Sequence, residues 1–292
     1  MLINATNISA LNVGFKANFK EAFDGAVSMF AKVATEVPSS TAENRYAWLG
    51  QFPKLREWLG DRMINNLKEF DYSLKNKTFE STVSVPKSDV EDDQYAVYSP
   101  LIAELGRAAK THPDELVFAL LLAGWTTRCY DGQYFFDTNH PVGGGVVSNN
   151  GGGAGTPWFL LDTSRALKPL IFQKRLDYAF QAMDRADDEQ VFARREFRYG
   201  VEARANVGFA FWQMAYGSKQ VLDSNAYAAA KAAMGAYKSD DGRPLGIRPT
   251  VLVVPPSLEM AAKTILKAQT GANGASNPWV GDAEVLVVPW LA

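Results

Sequence analysis

Near the start of the chain, apolar residues recur three and four positions apart. The members of this pattern, with charged residues between them, are Ile8, Leu11, Phe15, Phe19 and Phe23. This spacing predicts a helix with one apolar stripe, which Gly25 is expected to interrupt. Two partners for the stripe remain open: the protein's own core, as for most such stripes, or a neighbouring subunit.

Residues 68–86 alternate between apolar and polar positions with a period of two, and the polar tetrad 75–78 divides the alternation into two runs. The apolar members are Phe70, Tyr72, Leu74, Phe79, Val83 and Val85. This pattern predicts a β-hairpin. A lone two-stranded hairpin is marginally stable in water, so its apolar side chains need a partner surface. That surface is either the remaining sheet of the same subunit or another subunit.

A helical pattern follows an acidic cluster at residues 88–93. Carboxylates are favoured at a helix start, and their spacing matches no metal-binding loop, so capping is preferred over a metal site. Pro100 is expected in an early turn, and His112-Pro113 is expected to break the helix. The strongly apolar second half, ending near Trp125, predicts a buried segment.

The densest cluster of unusual residues spans 128–145 and contains the only cysteine, Cys129. Asp131-Gly132 predicts a turn, residues 133–136 a short aromatic strand, and the segment 139–141 extended backbone, which excludes a helix. A thiolate needs a base and an imidazole needs a carboxylate, so Cys129, Asp137 and His140 can be considered as a nucleophilic site. They lie within twelve residues and lack a known nucleophile signature, which favours a structural thiol and a turn histidine.

Beyond this stretch, short apolar runs alternate with helical patterns. Strands are predicted at 158–161, 170–172, 248–254 and 284–289, and helices at 196–212, 224–237 and 258–268. This order predicts a layered mixed domain from about residue 128 onward. The glycine-rich loop 147–155 lacks the lysine of a phosphate-binding loop, so no phosphate site is expected.

Composition narrows the class of protein. The 292 residues include 30 Lys plus Arg and 32 Asp plus Glu, a net charge of -2, which argues against a nucleic-acid binder with a strongly basic face. One cysteine excludes an internal disulfide framework and a multi-cysteine zinc site. With two histidines and no zinc spacing, no metal or cofactor is expected. Neither a membrane-length apolar run nor a secretory signal pattern is present in the sequence.

Three segments resemble one protein family, the major head subunit of Mu-like tailed phages and prophages. They are residues 130–141, residues 11–19 and the strand and turn at 251–257, and the resemblance extends over essentially the whole chain. The first segment is the most specific, and its motif residues are Tyr130, Asp131, Gly132, Tyr134, Phe135, Asp137, His140 and Pro141. The resemblance implies the Hong Kong 97 type of capsid fold, an α+β architecture.

On that fold, residues 1–40 would form an N-terminal arm and 41–87 an extended loop built on the hairpin. Residues 88–127 would form the spine helix of a peripheral domain, and 128–292 a mixed α/β axial domain with some return to the periphery. The apolar hairpin and arm would then contact adjacent subunits. The predicted intersubunit contacts are Phe15, Phe19, Phe23, Phe70, Tyr72, Leu74, Phe79, Val83 and Val85.

The resemblance implies a structural protein without catalytic residues. Such a subunit assembles with itself, as hexamers and pentamers, into an icosahedral shell around double-stranded DNA, which is held without sequence specificity. A scaffold protein, a maturation protease and a portal are the implied partners, with no cofactor and no membrane. Assembly in the bacterial host cytoplasm and a final location in the virion are expected. The competing hypothesis is a cytoplasmic hydrolase that uses Cys129 and His140.

Overall fold

The computed structural model describes residues 2–47, 49, 72–92, 94–185, 187–271 and 274–292. The predicted contact Phe70 lies outside these residues. The α-helices are α1 (Ala5–Gly25), α2 (Lys87–Glu91), α3 (Ser99–Leu122), α4 (Glu189–Arg194), α5 (Ser224–Gly235) and α6 (Glu259–Leu266). Short 3-10 helices cover Phe30–Lys32, Tyr95–Tyr98, Ala123–Trp125, Trp212–Met214, Pro256–Leu258 and Pro289–Leu291.

The strands form two main sheets and two small ribbons. The first seven are β1 (Ala34–Pro38), β2 (Glu43–Arg45), β3 (Ser73–Lys75), β4 (Lys77–Pro86), β5 (His140–Val142), β6 (Gly145–Val147) and β7 (Asn150–Gly153). The others are β8 (Trp158–Leu161), β9 (Leu170–Met183), β10 (Glu196–Phe209), β11 (Ala215–Lys219), β12 (Val251–Val254) and β13 (Glu284–Val287). The sheets have the orders β1-β9-β10-β4 and β13-β12-β8-β11-β7, and the ribbons pair β2 with β3 and β5 with β6. The fold is therefore α+β, as predicted.

Helix α1 places its apolar stripe on α3 and on one face of the four-stranded sheet. Ile8, Leu11, Phe15 and Phe19 are buried there, and the helix ends at Gly25 as predicted. At the α1–α3 crossing, a Cβ on Gly106 would collide with the backbone carbonyl oxygen of Phe19, so only glycine fits. We call this cluster the smaller core; its buried members are Ile8, Leu11, Phe15, Phe19, Val85, Val90, Ile102, Leu105, Ala109, Val191, Phe197, Tyr199 and Val201.

The predicted break at His112-Pro113 is wrong, because α3 continues through Pro113 to Leu122. An interior proline costs roughly 3 kcal/mol, but packing on both sides of it outweighs that cost. Before Pro113 the helix packs in the smaller core, and after it Phe118 and Leu121 join a second, larger core. The next residue, Asp114, is fully buried and ties the helix to the corner between α1 and β1.

The predicted helix at 196–212 is also wrong, since residues 196–209 form the long strand β10. Its buried residues alternate from Phe197 through Ala205, which is strand periodicity rather than helix periodicity. β10 pairs antiparallel with β9, and the two strands form a long arm that carries α4 at its tip. Both strands pass from the larger core, at Leu170 and Phe209, to the smaller core.

The predicted hairpin between the two apolar runs of 68–86 is not formed by the described residues. β3 pairs with β2, while β4 pairs with β10 along its whole length. The reason is Asn76, which the alternation places in a polar turn but which is buried at the junction of β3 and β4. Its side-chain amide donates to Ser39 Oγ and to the Thr41 carbonyl at 2.9 Å each. The chain therefore bends at Asn76 instead of reversing.

A buried glutamine fixes this bend to the long arm. Gln173 of β9 is fully buried; its amide nitrogen donates to Asn76 Oδ1 at 2.7 Å and to the Leu74 carbonyl at 3.0 Å. Its amide oxygen accepts a hydrogen bond from the Tyr46 hydroxyl at 2.8 Å. Because Tyr46 follows β2 and Leu74 lies in β3, one side chain clamps both ends of the segment 46–72. We refer to these contacts as the Gln173 clamp.

The larger core lies around the five-stranded sheet. The predicted strands at 158–161, 248–254 and 284–289 are found as β8, β12 and β13, and the predicted helices near 224–237 and 258–268 as α5 and α6. β8 and β12 are buried at every position because helices and loops cover both faces. Asp223 caps α5, accepting a hydrogen bond from the Ala226 amide at 2.7 Å. The predicted mixed domain after residue 128 is therefore present.

Candidate functional site: a buried turn cluster and the exposed surfaces

The stretch after α3 folds as a series of turns. The predicted turn at Asp131-Gly132 is present, with Gly132 at a φ of 84°, a conformation suited to glycine. The predicted strand at 133–136 is not: Tyr134 makes only an isolated bridge to Arg128. The aromatic residues are not those of a strand, because the adjacent Phe135 and Phe136 are both buried, and Phe135 stacks on Phe209 with ring centroids 4.0 Å apart. These adjacent aromatic rings anchor the loop in the larger core.

Asn149 organises the turns that surround this loop. It is fully buried, and its side-chain amide donates to the carbonyls of Phe135, Ala215 and Trp212 at 2.8, 3.2 and 3.4 Å. Its amide oxygen accepts hydrogen bonds from the Asp137 backbone at 2.9 Å and from His140 Nε2 at 3.2 Å. No local pattern predicts this buried role for Asn149, since an asparagine in a glycine-rich stretch is typical of an exposed turn.

His140 is brought together with Asp131 and Cys129, whereas Asp137 lies apart from them. His140 Nδ1 is 2.7 Å from Asp131 Oδ2, and the Cys129 thiol donates to Asp131 Oδ1 at 3.1 Å. The His140 ring is fully buried and stacks on Trp212, with centroids 4.0 Å apart and planes 10° apart. We call these three residues, Cys129, Asp131 and His140, the turn cluster.

The geometry of the turn cluster does not support the hydrolase hypothesis. Asp131 lies between the thiol and the imidazole, so His140 is not placed to take the proton from Cys129. Burial, together with the neighbouring Asp131 carboxylate, raises the pKa of the Cys129 thiol well above its usual range. A thiol held protonated is a poor nucleophile.

The two aspartates of the motif have different roles. Burial alone would raise the pKa of Asp131, but the hydrogen bond and charge of His140 outweigh it and lower that pKa. Asp137, which was considered as the carboxylate of the nucleophilic site, instead accepts hydrogen bonds from the backbone amides of Thr138 and Asn139 at 2.7 and 3.1 Å. It shapes a local turn and does not orient the imidazole.

The predicted intersubunit contacts on α1 lie inside the subunit. Phe15 is 2% exposed and makes an edge-to-face contact with Tyr199. Phe19 packs on Phe180, and Phe23, which is partly buried, contacts Tyr178. The alternative in which the stripe packs on the protein's own core is therefore the one observed. The exposed side of α1 presents Val13 instead.

The described residues of the predicted hairpin are likewise used within the subunit. Val85 is fully buried in the smaller core and Val83 packs against that core, while Leu74 and Tyr72 join the larger core. Phe79 contacts the His112 ring, with centroids 4.4 Å apart. A neighbouring subunit is not needed to cover these side chains, because the four-stranded sheet and α3 already do so.

His112 lies where α3 crosses the sheet. Its Nδ1 is 2.6 Å from the Tyr178 hydroxyl, and burial lowers the pKa of its ring despite the nearby Glu115 carboxylate. His112, which was expected to take part in a helix break, instead joins α3 to β9.

The most exposed large apolar side chain of the arm is at its tip. Phe192 on α4 is 86% exposed, and Met183 at the end of β9 is 45% exposed. Arg195, which ends α4, has a left-handed backbone with φ of 56°, so the tip is a tight reversal. A cavity of about 760 Å³ next to the tip is lined by Ile3 and Ile8 of the N-terminal segment together with Phe192. Phe192 and Met183 together make the arm tip a candidate contact surface.

None of the helices described combines the length and the apolar character needed to cross a membrane.

Solved structures place this architecture in a class. The chain is 50% identical to the subunit in the procapsid of bacteriophage JBD30, with a TM-score of 0.86 over 99% of this chain and 100% of that one. For the bacteriophage JBD30 capsid the identity is 38% and the TM-score 0.80, over 100% of both chains. The protein is thus a shell-forming capsid subunit with the Hong Kong 97 type of fold.

Sequence relatives give the family. The model of the Mu-like prophage major head subunit gpT matches residues 8–291. The Mu-like prophage FluMu major head subunit of Haemophilus influenzae is 47% identical over 278 residues, covering 91% of this chain and 90% of that protein. The major capsid protein of Escherichia phage Mu is 40% identical over 305 aligned positions, covering 100% of both. The chain belongs to the Mu-like prophage major head subunit gpT family. It is a structural component of the phage virion, and this confirms the resemblance, the fold class and the absence of an enzymatic role.

Proposed function

We propose that this subunit assembles through hexamers and pentamers into an icosahedral head that encloses double-stranded DNA. The whole-length similarity to both a procapsid and a capsid subunit supports this proposal. Closed shells need many modest contacts that repeat by symmetry. A near-balanced charge of -2 suits a wall that confines DNA without binding its sequence.

The segment 46–72 is proposed to be the extended loop that reaches an adjacent subunit. Its two ends are held side by side by the pairing of β2 with β3 and by the Gln173 clamp. This would move the boundary of the loop: β4 pairs with β10 in the four-stranded sheet, so the loop covers fewer residues than the predicted 41–87. Residues 1–40 and 88–127 keep their proposed roles as arm and spine, and residues 128–292 keep theirs as the axial domain with some return to the periphery.

The tip of the β9–β10 arm is proposed as a contact with a second copy of the chain. The observation that supports this is the 86% exposure of Phe192 beside a cavity lined by apolar side chains such as Ile3 and Ile8 and by charged ones such as Lys87 and Asp184. Full burial of an aromatic side chain contributes about 1.5–3 kcal/mol. Such a contact repeated over a shell becomes a substantial part of its stability.

A scaffold protein, a maturation protease and a portal are proposed as further partners, because heads of tailed phages are built with them. Their contacts would be separate from those that join the copies of this chain.

The test replaces Phe192 by aspartate in the full chain. Wild type should form shells, rings or tubes visible by negative-stain electron microscopy and by light scattering. Phe192→Asp should remain as small species, because assembly would bury an unpaired charge. Its circular dichroism should match wild type, since the side chain is exposed in the free subunit.

Phe192→Leu is the matched control, because it keeps an apolar side chain and should still assemble. If Phe192→Asp assembles as well as wild type, the arm tip is not a contact. If wild type stays monomeric at high concentration, self-assembly by this chain is itself refuted.

A further inference from the structure

The turn cluster brings together three side chains of the types that bind transition metals. Cys129 offers a sulfur, Asp131 a carboxylate oxygen and His140 a ring nitrogen, and these atoms all lie within 4.8 Å of one another. Cys129 and Asp131 lie in one turn and His140 begins β5, so that the chain folds around the point between them. Sulfur, oxygen and nitrogen ligands at this separation match the first coordination sphere of a zinc ion in three of four positions.

The hydrogen bonds of His140 are those of a metal-binding histidine. Nε2 is held by Asn149 Oδ1 at 3.2 Å, and the orientation of that amide is fixed because its nitrogen faces three backbone carbonyls. Metal-binding histidines almost always donate their second ring N–H to such an acceptor. This leaves Nδ1 facing Asp131 and Cys129.

The three side chains of the turn cluster are held close together in buried surroundings, with the His140 ring stacked on Trp212. A divalent cation bound by a thiolate, a carboxylate and a neutral imidazole would form a site without net charge, which suits such surroundings.

One member of the turn cluster, Asp131, reaches an open cavity, whereas Cys129 and His140 are buried behind it. Asp131 lines an open cavity of about 560 Å³ together with Tyr130, Gly143, Trp212 and Gln213. This cavity provides an entry path and room for a water molecule as a fourth ligand.

We propose that Cys129, Asp131 and His140 form a binding site for a divalent transition-metal ion of the zinc type, completed by a water molecule from the adjacent cavity. The soft sulfur selects zinc-like ions over magnesium and calcium. On binding, the thiol proton and the Nδ1 proton leave to solvent, and metal–sulfur, metal–oxygen and metal–nitrogen bonds form in place of the two hydrogen bonds to Asp131. The site would tie the loop after α3 to the larger core.

Cobalt(II) chloride is the probe, used with the full chain after chelation and under a thiol-free reductant. Cobalt(II) occupies zinc sites and absorbs in a way that reports its ligands. The expected result is a near-ultraviolet thiolate-to-cobalt charge-transfer band together with intense visible bands of tetrahedral coordination. Zinc chloride should abolish both by displacement, and should raise the melting temperature of the chain.

Cys129→Ser is the decisive variant, because a serine hydroxyl can still donate to Asp131 and so preserves the fold. It should lose the charge-transfer band, and zinc should no longer raise its melting temperature. Asp137→Asn is the matched control: this carboxylate lies in the same stretch outside the turn cluster, and the variant should keep the bands. Absence of the bands in wild type, or their persistence in Cys129→Ser, would overturn the proposal.

Discussion

The two cores of this subunit differ in how they are built. The larger core surrounds a five-stranded sheet that is covered on both faces, and it includes fully buried tryptophans such as Trp158 and Trp212. The smaller core lies on one face of the four-stranded sheet, mainly under α1 and α3, with Val90 of α2 and Val191 of α4 at its edge. Stability per residue rises with the fraction of surface that is buried. The smaller core is therefore expected to be the less stable region, and the one able to move while the larger core stays folded.

The two cores are not independent domains, because three elements pass through both of them. Helix α3, β9 and β10 each contribute one end to the larger core and the other end to the smaller core. Three neighbouring residues near the middle of α3 mark the passage from one core to the other. His112 is hydrogen-bonded to the Tyr178 hydroxyl, and Asp114 is hydrogen-bonded to the corner before β1. Pro113 lies between them. The two regions therefore differ in how completely the same elements are buried, and not in which elements they contain.

Removing a ring from the larger core should have the largest effect. Phe159 is fully buried and contacts the rings of Phe136 and Trp125. Phe159→Ala should lower the free energy of unfolding by about 3–5 kcal/mol, because it leaves a cavity as well as losing burial. Urea unfolding followed by circular dichroism measures this, and Val146→Ala, at a position that is 67% exposed, should change almost nothing.

The same variant tests whether the cores unfold separately. The tryptophans that the structure describes all belong to the larger core or pack against it. In a Trp48→Phe and Trp58→Phe background, tryptophan emission therefore reports that core alone. In Phe159→Ala, the unfolding transitions followed by emission and by ellipticity should shift together, whereas in smaller-core variants the transition followed by ellipticity should come first. This outcome would show that the two regions differ as described. A single shared transition in every variant would contradict the difference.

Crowding the α1–α3 contact should have a smaller effect, confined to the smaller core. Gly106→Ala would press a methyl group against the Phe19 carbonyl, and overpacking typically costs about 1–3 kcal/mol. Gly14→Ala is the matched control on α1, where no atom lies within 4 Å of the added carbon. It should stabilise the helix by roughly 0.5–1 kcal/mol, since alanine is the better helix former. Equal effects of the two substitutions would mean that the helices do not pack this closely.

The smallest expected effect is a pH dependence from His112. Burial lowers the pKa of its ring below the ordinary 6.5, so the unfolded chain binds the proton first as pH falls. Stability should therefore be fully present above pH 6.5 and decline as pH falls from there to the lowered folded-state pKa. His112→Gln, which retains a side chain able to pair with the Tyr178 hydroxyl, should show a shallower decline when urea unfolding is compared at about pH 7.5 and pH 5.5. An unchanged slope would assign the pH dependence to other groups.

The sequence predicted the elements in which each residue type follows the local rule. The α1 stripe and the strands β8, β12 and β13 were predicted correctly, because burial on one face or on both faces produces a regular pattern of apolar residues. The errors lie where tertiary contacts decide. Pro113 sits inside a helix because two cores hold it. The spacing of Tyr199, Ala203 and Val207 suggested a helix, although all three belong to strand β10.

At the candidate sites, too, the local pattern was predicted correctly and the tertiary contacts were not. The motif at 130–141 identified the family and the turn at Asp131 correctly, but spacing could not tell which aspartate meets His140. Asn76, Asn149 and Gln173 are polar residues whose partners are distant in the chain, so no local pattern marks them as buried. The single chain already buries most of the residues predicted to contact neighbouring subunits, among those described on α1 and in β3 and β4. Others, such as Phe79, are only partly covered.

The Gln173 clamp has a mechanical consequence. Both ends of the segment 46–72 converge on one side chain of β9, and β9 runs without interruption from the larger core to the arm tip. The second end is also bonded to β10, where the Phe209 amide donates to the Tyr72 hydroxyl at 2.8 Å and the Asn206 side chain to the Lys75 carbonyl at 2.7 Å. Any pull on that segment from outside would therefore be shared by two paired strands that run through both cores, and would reach the sheet as well as the loop.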